Sequence, residues 1–165
     1  MKKAIILGCP GSGKSTFARK LRDATGIPLY YLDMLWHKPD QTNVTREEFD
    51  QRLHEILIRD EWIIDGNYNR TIEERVRNCD TVFLFALPVD VCVEGARSRV
   101  GTQREDLPWV EEELDPEFHQ FILDFRRDYL PEIYETLEKY CNREIIIFKS
   151  RNDTEKFLTG LDYRA

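Results

Sequence analysis

The chain has no long hydrophobic run and no surplus of positive charge. Its longest apolar stretch, Val82 to Leu87, is too short to cross a bilayer, so no membrane partner is expected. A net charge of −7 gives an average surface that repels polyanions, which makes direct nucleic-acid binding through a broad basic face an unfavoured reading. Cysteines are few and scattered. Cys9, Cys79, Cys92 and Cys141 form no Cys-x-x-Cys pair, and His37, His54 and His119 lack metal-ligand spacing. Four buried or partly buried thiols in a reducing compartment are therefore expected, with Cys9 the exception. A glycine loop of inward-pointing amides beside a helix start would lower its pKa. The opening Met1-Lys2-Lys3 imitates a secretory leader, but the apolar run ends at Gly8 without a small-residue cleavage site. It reads as a first strand, and a cytoplasmic location is the expectation.

Neither a linker nor an internal repeat interrupts the 165 residues, a length that fits one domain around a single core. Gly8 to Ser15 matches G-x-x-x-x-G-K-[ST] at every fixed position. The apolar run Ala4 to Leu7 precedes it and helical spacing from Thr16 to Ala24 follows, which is the strand, glycine loop and helix order of a phosphate-binding loop. Gly8, Pro10, Gly11, Ser12, Gly13, Lys14, Ser15 and Thr16 are thus expected to cradle the phosphates of ATP. Amide N–H groups and the helix dipole supply the cradle, and Lys14 brings a point charge to the β and γ phosphates. The Ser15 hydroxyl is placed to ligate Mg²⁺.

Trp62-Ile63-Ile64 is a second buried-strand pattern ending in Asp65, a carboxylate suited to the Mg²⁺ shell. Ile27 to Leu32 ends in Asp33, which either faces a ligand at the carboxyl edge of a parallel sheet or caps a helix. Thr45 to Glu48 has capping-box form for a helix carrying Phe49, Leu53, Ile56 and Leu57. Thr81 to Leu87 is a strand stopped by Pro88, and Val89 to Val100 a helix. Gly101 to Asp115 is polar and acidic, with Arg99 and Arg104 near its entrance, and is either a closing lid or a solvated loop. Pro116 opens a long helix that Pro131 kinks or divides, with Phe118, Phe121, Ile122, Phe125 and Tyr129 as core packing. Glu144 to Phe148 is a fifth strand, and a helix follows. Alternating strands and helices predict a doubly wound α/β sheet, without fixing its strand order.

Together these motifs resemble the adenylate kinase-like P-loop kinases, and closer still the small bacterial DNA topology modulation proteins. Gly26-Ile27-Pro28 with Asp33-Met34-Leu35 is similar to the start of the nucleoside-monophosphate site in adenylate kinases, and Asp65 to Thr71 to their Asp-Gly-Phe-Pro-Arg-Thr stretch. The resemblance implies a three-layer P-loop fold with five parallel strands in order 2-3-1-4-5 and ATP as donor. It also implies a short acceptor-binding insert about 33–60 and a lid about 100–115. It casts Asp65 as the Mg²⁺ carboxylate and Arg70 as the grip on an acceptor phosphate. Two departures stand out. Trp36 occupies the place of an arginine, either packing on the Tyr30 and Tyr31 strand or stacking on a ligand ring. Gly95 and Arg99 stand where two arginines are usual, leaving Arg97 or Arg151 to meet adenine. The expected function is Mg-dependent phosphoryl transfer to a nucleotide or another small hydroxylated or phosphorylated acceptor, with Lys14, Arg99 and Arg104 meeting the transferred group and Asp33 orienting the acceptor. The alternative is a nucleotide-dependent switch.

Overall fold

The computed structural model describes residues 1–162. Five strands, β1 (Lys3–Gly8), β2 (Leu29–Tyr31), β3 (Trp62–Asp65), β4 (Thr81–Phe85) and β5 (Glu144–Phe148), form one parallel sheet in the order β2-β3-β1-β4-β5. Parallel neighbours need crossovers, and eight helices supply them or flank them: α1 (Lys14–Thr25), α2 (Leu32–Trp36), α3 (Arg46–Leu57), α4 (Ile72–Asn78), α5 (Val89–Arg97), α6 (Pro116–Asp128), α7 (Leu130–Glu138) and α8 (Arg151–Asp162). α1 packs with α8 on one face of the sheet, and α4 with α7 on the other, which makes three layers. The predicted strand order is the observed one.

Central strands β1, β3 and β4 are buried and, apart from Lys3, Asp65 and Thr81 at their ends, apolar, because both their faces are covered. Phe17 of α1 anchors the upper layer, with its ring 5.0 Å from Phe83, 5.5 Å from Phe85 and 5.2 Å from Phe148. This edge-on aromatic cluster holds the helix that begins at the phosphate loop rigidly against the sheet. Thr45 caps α3 by accepting from the Glu48 amide, as the capping-box pattern predicts. The long C-terminal helix is divided at Tyr129, just before Pro131. α5 stops at Arg97 rather than Val100, so Arg99 lies in the turn beyond it. Asp33 likewise stands in the first turn of the five-residue α2, not at a strand end.

Candidate active site

All functional groups of interest gather at the carboxyl edge of β1, β2 and β3. The register pairs Ile6 with Asp65 and Tyr31 with Asp65, so the phosphate loop, Asp65 and the start of α2 leave the sheet side by side. α1 begins at Lys14 with Gly13 as its N-cap and no side chain bonded to its first amides, which leaves them directed toward an incoming anion. Lys14 is buried, and its Nζ donates to the Cys9 carbonyl at 2.9 Å. Burial pushes its pKa down, opposed by the charge of Asp65. Asp65 is buried too, and one carboxylate oxygen has no partner. Desolvation raises its pKa to about 6 despite Lys14 nearby.

Gly11 explains a departure noted in the sequence. Its φ of 79° suits glycine, and a Cβ there would collide with the Cys92 carbonyl of α5. The reverse holds at Gly95, where a Cβ would strike the Gly11 carbonyl oxygen and lie 3.1 Å from an Arg151 guanidinium nitrogen. Loop and helix therefore interlock through paired glycines, which excludes an arginine at 95. Arg151, from the start of α8, occupies the adjoining space and lines the same cavity as the phosphate loop.

The segment after β3 is held by hydrogen bonds that no motif announces. The Asn67 amide donates to Gly8 O and accepts from Gly8 N, each at 2.9 Å, tying this segment to the root of the phosphate loop. The Tyr68 hydroxyl donates to an Asp33 oxygen at 2.8 Å. Beneath both lies Arg75, fully buried, donating to the carbonyls of Gly66 at 2.8 Å, of Thr71 at 3.3 Å, and of Asn67 and Tyr68. From the loop after α5, buried Asp106 accepts the Ser15 hydroxyl at 3.1 Å. Arg104 lies between Asp106 at 3.3 Å and Glu111 at 3.0 Å.

Two cavities meet here. The larger, about 620 Å³, runs from the phosphate loop to Arg151 and Thr154; the smaller, about 250 Å³, is lined by Asp33, Asp65, Tyr68, Phe118 and Phe121 among others. Lys14, Ser15, Arg99, Arg104 and Asp106 border both. Arg99 is half-buried, and its Nε has no partner. The oxygen donors at this wall, Ser15 Oγ and the unpartnered oxygen of Asp65, fit a hard cation such as Mg²⁺, and the amide-rich loop with buried Lys14 fits a polyphosphate.

Four expectations need correction. Arg70 does not reach the smaller cavity: Tyr68 takes a left-handed φ of 43° and the turn Asn69–Thr71 carries Arg70 outward, where it grips Asp50 through two bonds of 2.6 and 3.0 Å. Trp36 borders neither cavity and packs on Phe49 and Tyr68, with ring centroids 5.7 and 6.4 Å away, rather than on Tyr30 and Tyr31. The Cys9 pKa is raised, not lowered, because the thiol is buried against the Cys92 thiol instead of facing the amides. Cys141, expected to be at least partly covered, is exposed. Sequence reasoning also missed Asp106, Asn67, Tyr68 and Arg75 as parts of the site; Phe118 and Phe121 pack against the core as expected, and being half-buried they line the smaller cavity as well. Only the Arg-x-Asp spacing of 104 and 106 offered a signal.

No protein-family model matches the chain. The adenylate kinases of Thermotoga petrophila and Thermotoga maritima are each 29% identical to it over 87 residues, 52% of this chain and 39% of theirs. The match thus spans about two fifths of the length of these curated relatives. Among solved structures, shikimate kinase from Bacteroides thetaiotaomicron superposes with a TM-score of 0.60 at 17% identity, covering 99% of this chain and 97% of its own. A gluconokinase from Sinorhizobium meliloti 1021 gives 0.58 at 16%, and shikimate kinase from Acinetobacter baumannii in complex with shikimate gives 0.61 at 14%, each covering 99% of this chain and 93% of the other. At such identities the superposition speaks for fold alone. With its glycine loop after β1 and its sheet order of 2-3-1-4-5, the chain has the fold of the P-loop kinases.

Proposed function

We propose that the chain is an ATP-dependent phosphotransferase that passes the γ-phosphoryl group to a small hydroxylated acceptor. The observation that carries this reading is the pair of cavities sharing one cationic wall of Lys14, Arg99 and Arg104. The larger cavity takes the donor, with its phosphates on the amides of Gly11 to Ser15 and Arg151 on the side toward the base. The smaller takes the acceptor, with Asp33 accepting a hydrogen bond from its hydroxyl and Tyr68 fixing the carboxylate. Lys14 and Arg99 neutralise charge on the transferring group, and Arg104 completes the wall as the 100–115 segment closes. Ser15 and Asp65 would hold Mg²⁺, which supplies further charge neutralisation at the phosphates. Catalysis on this plan is chiefly positioning and fixed charge.

The adenylate kinases matched in sequence and the shikimate kinases and gluconokinase matched in fold all support a kinase reading. The site itself favours the small acceptor over a nucleotide. A cavity of about 250 Å³ is small for a nucleoside monophosphate, and the two positions expected to grip its phosphate hold Trp36 and the diverted Arg70. AMP should be a poor acceptor.

Calorimetry with Mg·ATP on wild type and Lys14→Ala, alongside a coupled ADP-release screen over small alcohols, sugars, sugar acids and nucleoside monophosphates, tests the proposal. Loss of affinity in a folded Lys14→Ala and acceptor-stimulated ADP release are expected. Unchanged affinity would remove the donor assignment, and AMP turnover at rates of about 1 to 100 s⁻¹ would overturn the acceptor reading. Release that no compound stimulates would move the chain to the nucleotide-dependent switch that its resemblance to DNA topology modulation proteins suggests.

A further inference from the structure

We infer that the acceptor is an uncharged polyol of about monosaccharide size presenting one apolar face, a neutral sugar or cyclitol, and that phosphorylated and carboxylated acceptors are refused. The inference rests on the phosphotransferase reading and deepens it. It follows from which charges bordering the smaller cavity are already matched.

Three cations and three carboxylates border that cavity: Lys14, Arg99 and Arg104 against Asp33, Asp65 and Asp106. Lys14 and Arg104 are committed before an acceptor arrives, and Arg99 is shared with the donor cavity. Lys14 is held on the Cys9 carbonyl, inside the phosphate loop, with Asp65 as its strongest opposing charge. Arg104 is spent between Asp106 and Glu111. Arg99 keeps an unpartnered nitrogen but faces the donor cavity as well, where a polyphosphate outcompetes any single anion. No fourth cation among the described residues lines this cavity. Arg70 is locked to Asp50 outside the cavity, and Arg75 is buried among carbonyls and does not line it.

One of the three carboxylates has no such match. Asp33 forms no ion pair among the described residues, and its one side-chain partner is the neutral Tyr68 hydroxyl. Once a donor's phosphates engage Arg99, Asp33 is the one unmatched charge left facing an acceptor. A hydroxyl can donate to it, whereas a phosphate or carboxylate would stand a few ångströms from Asp33 without a counter-charge. The half-buried rings of Phe118 and Phe121 line the same cavity as Asp33, 6.3 Å apart with planes only 18° from parallel. An aromatic wall together with hydrogen-bond acceptors suits a ring whose C–H face is apolar and whose edge carries hydroxyls. The volume, about 250 Å³, holds one such ring and little more. In the transfer, the acceptor hydroxyl oxygen forms the new P–O bond as the bond between the γ phosphorus and the bridging oxygen of ADP breaks. The hydroxyl proton passes to Asp33.

Two pairs of probes, nearly alike in shape and different in charge, test this: glucose against glucuronate, and methyl shikimate against shikimate. Binding is measured calorimetrically with Mg·ADP present, and phosphoryl transfer by coupled ADP release. The neutral member of at least one pair should bind and turn over, with its anionic twin about tenfold or more weaker. Asp33→Asn, which keeps the shape and removes the charge, should shrink that preference, while Phe121→Ala should weaken the neutral probe without reversing it. Equal or tighter binding of the anionic twin would overturn the inference, and so would binding of neither member of either pair. The wild-type comparison decides the matter even if a variant fails to fold. Mg·ATP affinity and its loss in Lys14→Ala, recorded alongside, report separately on the phosphotransferase reading.

Discussion

Replacing Gly95 by alanine sets two physical effects against each other, and the structure says which wins. On helix propensity alone, alanine in the middle of α5 should stabilise the protein by about 1 kcal/mol. The new Cβ, however, would lie 3.0 Å from the Gly11 carbonyl carbon, 3.1 Å from an Arg151 guanidinium nitrogen, and closer still to the Gly11 oxygen. The arginine end can swing away. The loop carbonyl is backbone and must retreat on the order of an ångström, dragging the phosphate cradle with it, at an overpacking cost of about 1 to 3 kcal/mol. Gly160 in α8 is the matched control, since a Cβ there meets nothing within 4 Å. Thermal denaturation should show Gly160→Ala unchanged or slightly raised and Gly95→Ala lowered, at about 2 to 4 °C per kcal/mol for a domain of this size. Calorimetry should show Mg·ATP affinity intact in the first and reduced about tenfold or more in the second. A Gly95→Ala protein that is stabilised and binds ATP normally would refute the interlock of loop and helix.

Other outcomes follow from the same geometry. Arg75→Lys should destabilise by about 3 kcal/mol, because one ammonium cannot span the carbonyls of residues 66 to 71 that the guanidinium bridges, and denaturant titration measures it. Asp65 carries a pKa raised from 3.8 to about 6, so the folded state holds its proton more tightly and the stability this confers at low pH is lost as pH rises from about 4 through 6. Asp65→Asn lacks that loss and should gain on wild type by up to about 3 kcal/mol between pH 4 and 7; parallel melting curves would count against the shift. Native protein at pH 8 should take up one equivalent of a thiol reagent, at Cys141, and four after unfolding. Cys9, Cys79 and Cys92 are buried, and burial pushes the Cys79 pKa to about 11.

What local chemistry determines was readable from the chain. The glycine loop, the apolar run ending in Asp65, the Thr45 cap and the break near Pro131 each depend on residues a few positions apart, and each stands where expected. Strand order came from resemblance, since hydrophobic alternation says that a strand is buried but not beside which neighbour. Arg70 was misplaced because one residue, Tyr68, turns left-handed and rotates the following turn, exchanging which arginine points inward. Asp106 lies in a segment without periodicity and meets Ser15 across 91 positions of sequence. Such a partnership exists only once the chain has folded.

The clasp formed by Arg75 has a practical consequence for reading kinetic data. On the proposed function, one side chain steadies the segment that touches the phosphate loop through Asn67 and, through Tyr68, the carboxylate assigned to the acceptor. Damage there cannot be confined to one substrate, so a variant in this region should raise the Michaelis constants of both together. A variant that raises only one must act elsewhere, at Arg151 for the nucleotide or at Phe121 for its partner. The ratio of the two constants across a random mutant collection would therefore sort lesions of the shared scaffold from lesions of either pocket before any further coordinates are determined.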